Sequence, residues 1–167
     1  MFSQIHGLPL HPLAVHAAVV FVPLAAFLGI LFVVPRTRAW SRIPLVLVSL
    51  GAVASVFVAR LSGQNLKNSL GLDQGTGPVQ TLIEKHQHRA FWLLIFILIF
   101  AVIAVAAYVL SRDPAKFTGA LAISVSSVLV VAAVVVAFQT YLVGDIGSRA
   151  VWNPTGQIDY GSSPGDK

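Results

Sequence analysis

The stretch AFWLLIFILIFAVIAVAAYVL, from Ala90 to Leu110, is 21 residues long and contains no Lys, Arg, Asp or Glu. A helix of about 20 apolar residues covers the ~30 Å hydrocarbon core of a bilayer, because each residue rises ~1.5 Å. Working outward, three more runs have the same character: 12–34, 44–60 and 118–143. Apart from Arg60 at one edge, these runs also lack charged residues. Membrane β-strands are excluded, since they alternate apolar and polar residues over about ten positions. The expected fold is therefore all-α, an integral membrane four-helix bundle. Its expected domain covers 1–152, followed by a flexible polar tail over 153–167 that is rich in Gly, Ser and Pro.

Composition agrees. Of 167 residues, 56% are hydrophobic and 10% charged, against roughly 25% charged in an average soluble domain. Mean hydropathy is +0.83. A nucleic-acid partner and an ordinary cytosolic enzyme are excluded on these grounds, and the lipid bilayer is the expected environment. With no cysteine there is no disulfide, thiolate metal site or iron–sulfur cluster. The first apolar run is too long for a secretory signal and ends in Pro35-Arg36-Thr37-Arg38, not at a small-residue cleavage site, so it reads as a retained helix.

Charge sets an expected orientation. The segments Pro35–Ile43 and Ser111–Phe117 hold Arg36, Arg38, Arg42, Arg112 and Lys116, five cations in 16 residues. Basic residues in short loops mark the cytoplasmic side, so both termini and the long connection from Leu61 to Glu84 are expected outside. The expected location is a bacterial cytoplasmic (inner) membrane, crossed several times, with N-out/C-out topology. No internal repeat stands out.

That topology gathers the informative polar residues at the outer end: His6, His11, His16, Gln64, Glu84, His86, His88, Asp145 and Arg149. His11 precedes Pro12 and reads as a cap-like residue just outside the helix. His16 lies within a span, where a histidine usually faces the bundle interior, so it is expected to turn inward onto a polar partner or metal. Five helical residues rotate ~500°, which leaves the His11 and His16 rings about 140° apart. Glu84 and His88 share a helix face, where the carboxylate would orient the imidazole. Asp145 and Arg149 pair at i,i+4 if the helix persists past Gly144 and Gly147. Gln139 and Tyr141 would extend a polar lining inward. For each of these the bland alternative is an interfacial helix end or a satisfied structural side chain.

Two imidazoles on different helices, His16 and His86, suit axial ligation of haem b within a four-helix bundle. A copper or iron site drawing on His11, His16, His86 and Asp145 suits the same cluster. Either implies electron transfer in a respiratory context, with Gln64, Glu84, His88, Gln139 and Arg149 in support. The alternative is a cofactor-free accessory subunit, packed in a larger membrane complex or a homo-oligomer. A transporter is disfavoured, because no ionisable residue reaches the middle of any span, and the chain offers little room for substrate chemistry as a stand-alone enzyme.

Four segments also carry a resemblance. Gly7-Leu8-Pro9-Leu10-His11-Pro12-Leu13-Ala14-Val15-His16, Ser62-Gly63, Glu84-Lys85-His86 and Gly147-Ser148-Arg149-Ala150-Val151-Trp152 are similar to an uncharacterised bacterial four-helix membrane family, domain of unknown function 2231, in its actinobacterial branch. The resemblance spans roughly residues 7 to 152 and implies that His11, His16 and His86 match family histidines. That branch often has an acidic residue where this chain has Gln64 and a histidine where it has Asp145. It implies no activity.

Overall fold

The structure is a computed structural model and describes residues 4–5, 7–72 and 75–158. A two-residue antiparallel ladder, β1 (Gln4–Ile5) with β2 (Leu8–Pro9), precedes four helices: α1 (Leu10–Val33), α2 (Pro35–Ser69), α3 (Pro78–Leu110) and α4 (Gly119–Trp152). All four are long and apolar enough to cross a membrane. α1 packs on α2, α2 on α3, α3 on α4 and α4 back on α1, so α1 and α3 lie diagonally opposite.

The core is a stripe of small side chains with a few large ones set into it. Ala25, Ala52, Ala104 and Ala107 are fully buried, beside Phe32, Phe100, Leu45, Ile97 and Leu129. In hydrocarbon there is no hydrophobic drive between helices, so small residues that permit close backbone approach decide the packing. Gly29 shows this directly: a Cβ there would stand 3.2 Å from Cζ of Phe100. The large apolar residues point outward instead, as Val102 does at 69% exposure, which is what lipid-facing helices require. The buried hydroxyls of α2 are satisfied within that helix. Ser49 donates to Leu45 O at 2.6 Å, and Ser55 to Ala52 O at 2.9 Å.

The helices run well beyond the four apolar runs. Pro35–Ile43, expected as a loop, is the first part of α2, leaving only Val34 between α1 and α2. Pro35 suits a first helical position, where its missing N–H costs nothing. The long connection expected from Leu61 to Glu84 shrinks to 70–77, since α2 continues to Ser69 and α3 starts at Pro78. α4 passes through Gly144 and Gly147 without a break. An apolar run measures the bilayer, and a helix is free to continue into water as an amphipathic extension. In the segment after α4, Asn153 closes a turn with Ile158 through two hydrogen bonds; 159–167 of the expected tail lie outside the described residues.

One end of the bundle is organised by arginines of α2. Arg38 donates from Nε to Phe32 O and from Nη2 to Val33 O, both at 3.1 Å, and its guanidinium lies over the rings of Phe32 and Phe117. Arg42 donates to Ser111 O at 3.2 Å. Cations thus meet the final carbonyls of α1 and α3, where the helix dipole is negative and four carbonyls lack intrahelical partners.

Candidate functional site

The histidines gather at the opposite end. His11 lies in the first turn of α1 rather than outside it, because the helix starts at Leu10, two residues before Pro12. Its Nδ1 donates to Ala59 O of α2 at 2.8 Å. The ring sits against Gly63, one turn further along α2, where a Cβ would come within 2.9 Å of Cε1 and 3.0 Å of Nδ1. His86, in the extramembrane part of α3 by the apolar-run reading, repeats this contact on α4. Its Nδ1 donates to Val143 O at 3.0 Å, and a Cβ on Gly147 would stand 3.0 Å from Cε1 and 3.1 Å from Nδ1.

These two contacts fix the tautomers. A carbonyl only accepts, so each ring carries its proton on Nδ1 when neutral, and Nε2 is left as the bare nitrogen. Neither Nε2 has a hydrogen-bond partner among the described residues. A histidine oriented by Nδ1–H on a backbone carbonyl is the usual arrangement behind a metal-bound Nε2. His11 is also within electrostatic reach of His86. The two rings therefore share one end of the bundle from diagonally opposite helices.

His16 behaves differently from expectation. It is exposed, and its Nδ1 donates back to Pro12 O of its own helix at 2.6 Å. The need for a polar partner in hydrocarbon is met by the helix backbone, so the ring has no reason to turn inward. The ~140° between positions 11 and 16 decides the rest: with His11 on the inner face, His16 lies on the outer one.

The supporting residues are engaged separately. Glu84 is exposed and accepts from Gln80 at 2.9 Å, while His88 accepts from Trp92 Nε1 at 3.2 Å, so the expected Glu84–His88 partnership is replaced by two local bonds. Asp145 and Arg149 do pair, at 3.0–3.1 Å, because α4 persists through both glycines; the arginine side chain is 64% exposed. Gln139 is 5% exposed and ties α4 to α3 by donating to Arg89 O at 3.0 Å. Tyr141 is 66% exposed and does not continue a polar lining, since two residues along a helix turn to the far side. Gln64 is exposed at the histidine end of α2, and His6 lies outside the described residues.

Among the described residues no group of three or more His, Cys, Asp or Glu is placed to hold a metal ion. The set His11, His16, His86 and Asp145 does not form such a group among them, and His11 and His86 are the two histidines held on neighbouring helices at this end. The residues missed from sequence are Gly63 and Gly147 as seats for the rings, and the carbonyls of Ala59 and Val143. The recurrence of a glycine about one turn past the apolar part of α2 and α4 was the available signal.

No curated protein and no solved structure matches the chain significantly. A family model described as predicted membrane protein (DUF2231) matches residues 7–158. Four membrane-length helices and coverage of nearly the whole bundle agree with that description, and the chain belongs to the DUF2231 family.

Proposed function

We propose that the histidine end faces the outer side of a bacterial cytoplasmic membrane and binds haem b through His11 and His86, for electron transfer in a respiratory context. The observation that carries this reading is the matched pair of imidazoles, each held by Nδ1 on a neighbouring helix and each with Nε2 unengaged among the described residues. Donor count favours haem over a bare copper or iron ion. A porphyrin would supply most of the donors to its iron and ask the protein for two, which His11 and His86 would provide, whereas a bare ion would ask for more donors than the described residues of this end supply. Held by both histidines, such a group would supply one-electron redox chemistry and would leave no place for a substrate, which suits electron transfer.

A second reading has its own support. The Nδ1 bonds of His11 and His86 staple α1 to α2 and α3 to α4, so both histidines also fit a cofactor-free accessory subunit of a larger membrane complex or a homo-oligomer. The test is an absorption spectrum with metal analysis of the full-length protein purified from cells supplied with haem. The haem reading expects a Soret band and stoichiometric iron. Stoichiometric copper without a Soret band would replace haem by the metal, and neither signal would leave the accessory reading.

A further inference from the structure

The two histidine contacts are related by fixed shifts in residue number. His11 and His86 differ by 75, while Ala59 and Val143, and Gly63 and Gly147, differ by 84. These shifts were set by the contacts alone, so they can be checked against burial, which is independent of them. A shift of 75 carries each of the six buried residues of α3 onto a buried residue of α1; Val22 with Ile97, Ala25 with Phe100 and Gly29 with Ala104 are examples. A shift of 84 carries four of the five buried residues of α4 onto buried residues of α2: Leu45 with Leu129, Ser49 with Ala133, Ala52 with Val136 and Ser55 with Gln139. It also carries the first residue of α2, Pro35, onto the first residue of α4, Gly119. The nine extra residues of the second half fall near its hairpin connection, Ser111–Thr118, where the first half has only Val34. The pairing order closes the same way: α1·α2 maps to α3·α4, and α2·α3 to α4·α1.

We infer that the chain is a tandem repeat of one helical hairpin about a pseudo-two-fold axis along the bundle, and that His11 and His86 are the two copies of one ligand position. Parallel repeats with an axis along the membrane normal are an established way to build membrane proteins, with the ligand site at the interface of the repeats. Any two residues related by such an axis present the same atoms to it. A ligand centred on that axis would therefore meet the same atoms of His11 and of His86, and among the described residues no other ligating side chain recurs at equivalent positions. The ligand class, an axially ligated haem, rests on the function proposed above; the repeat does not.

Two measurements on the full chain in detergent separate these. In the haem-free protein labelled with ¹⁵N-histidine, His11 and His86 should show the same Nδ1–H tautomer with slow proton exchange. Gly63→Val should release the His11 ring alone and Gly147→Val the His86 ring alone. Different tautomers for the two rings would overturn the repeat. With haemin added, His11→Ala and His86→Ala should each lose the six-coordinate low-spin spectrum and give the same five-coordinate one, and both should be restored by free imidazole. Loss in one variant with an unchanged spectrum in the other would overturn the equivalence. A wild-type protein that takes up no haemin would overturn the haem reading and the shared ligand, while the tautomer measurement still decides the repeat.

Discussion

The two ends of the bundle use one device with different residues. At the arginine end, Arg38 and Arg42 reach carbonyls at the ends of α1 and α3; at the histidine end, His11 and His86 reach carbonyls inside α2 and α4. In each case a side chain from one helix satisfies the backbone of another segment. Arginine brings a permanent charge, which suits the negative end of a helix, and its role there is complete as a cap. Histidine brings a second nitrogen whose state is set by the first. The same joint is structural at one end and, among the described residues, leaves two nitrogens without a partner at the other.

Substitutions at the two ends should separate these roles. The largest loss of stability is expected for Arg38→Met, which removes two charge-assisted hydrogen bonds and the stacking on Phe32 and Phe117. Charged hydrogen bonds contribute ~1.5–3 kcal/mol and a desolvated cation–π contact up to ~2 kcal/mol, so a drop of about 2–4 kcal/mol should be seen in thermal unfolding in detergent. An unchanged melting temperature would mean that these contacts are not made in the folded protein.

His11→Ala and His86→Ala should cost less, since interhelical hydrogen bonds in membrane proteins average ~0.6 kcal/mol with a maximum near ~1.7 kcal/mol. The two losses should be similar, because the two contacts are copies. If either exceeded that of Arg38→Met, the histidine end would be the principal structural joint, and the contrast between the ends would fail.

Gly63→Ala and Gly147→Ala sharpen the point further. The added Cβ displaces the imidazole and loses its bond, but alanine recovers about 1 kcal/mol of helix propensity over glycine. Melting should barely move while the slow-exchanging Nδ1–H signal of the facing histidine disappears. The smallest effect belongs to Asp145→Asn. Its partner Arg149 is largely exposed, and such pairs are worth ~0–1 kcal/mol, so neither melting nor haem uptake should change measurably.

How much of this was written in the sequence depends on which force set each feature. The four spans were legible because the bilayer demands uninterrupted apolar runs, and Ala90–Leu110 meets that demand without ambiguity. Helix ends were not legible from hydropathy, which is why Pro35–Ile43 read as a loop. His86 and the angular separation of His11 from His16 were legible from residue type and helix geometry. Which of the latter two faces inward was not, because a lone histidine satisfies its ring on its own backbone as readily as on a neighbour, and His16 does so on Pro12. The repeat was hidden for a different reason. What buried positions keep is complementary volume, as where Gly29 makes room for Phe100, so Gly29 and Ala104, or Ala25 and Phe100, share a position without sharing an identity. Outside the apolar positions, only the glycine seats and the histidines keep a residue type across both halves.

In the proposed site His86 is paired with His11 and not with His16. The most direct test compares the haem-loaded spectra of wild-type protein, His11→Ala and His16→Ala, purified in parallel. A six-coordinate low-spin spectrum is expected in the wild type, retained in His16→Ala and lost in His11→Ala. Loss in His16→Ala with retention in His11→Ala would contradict that pairing.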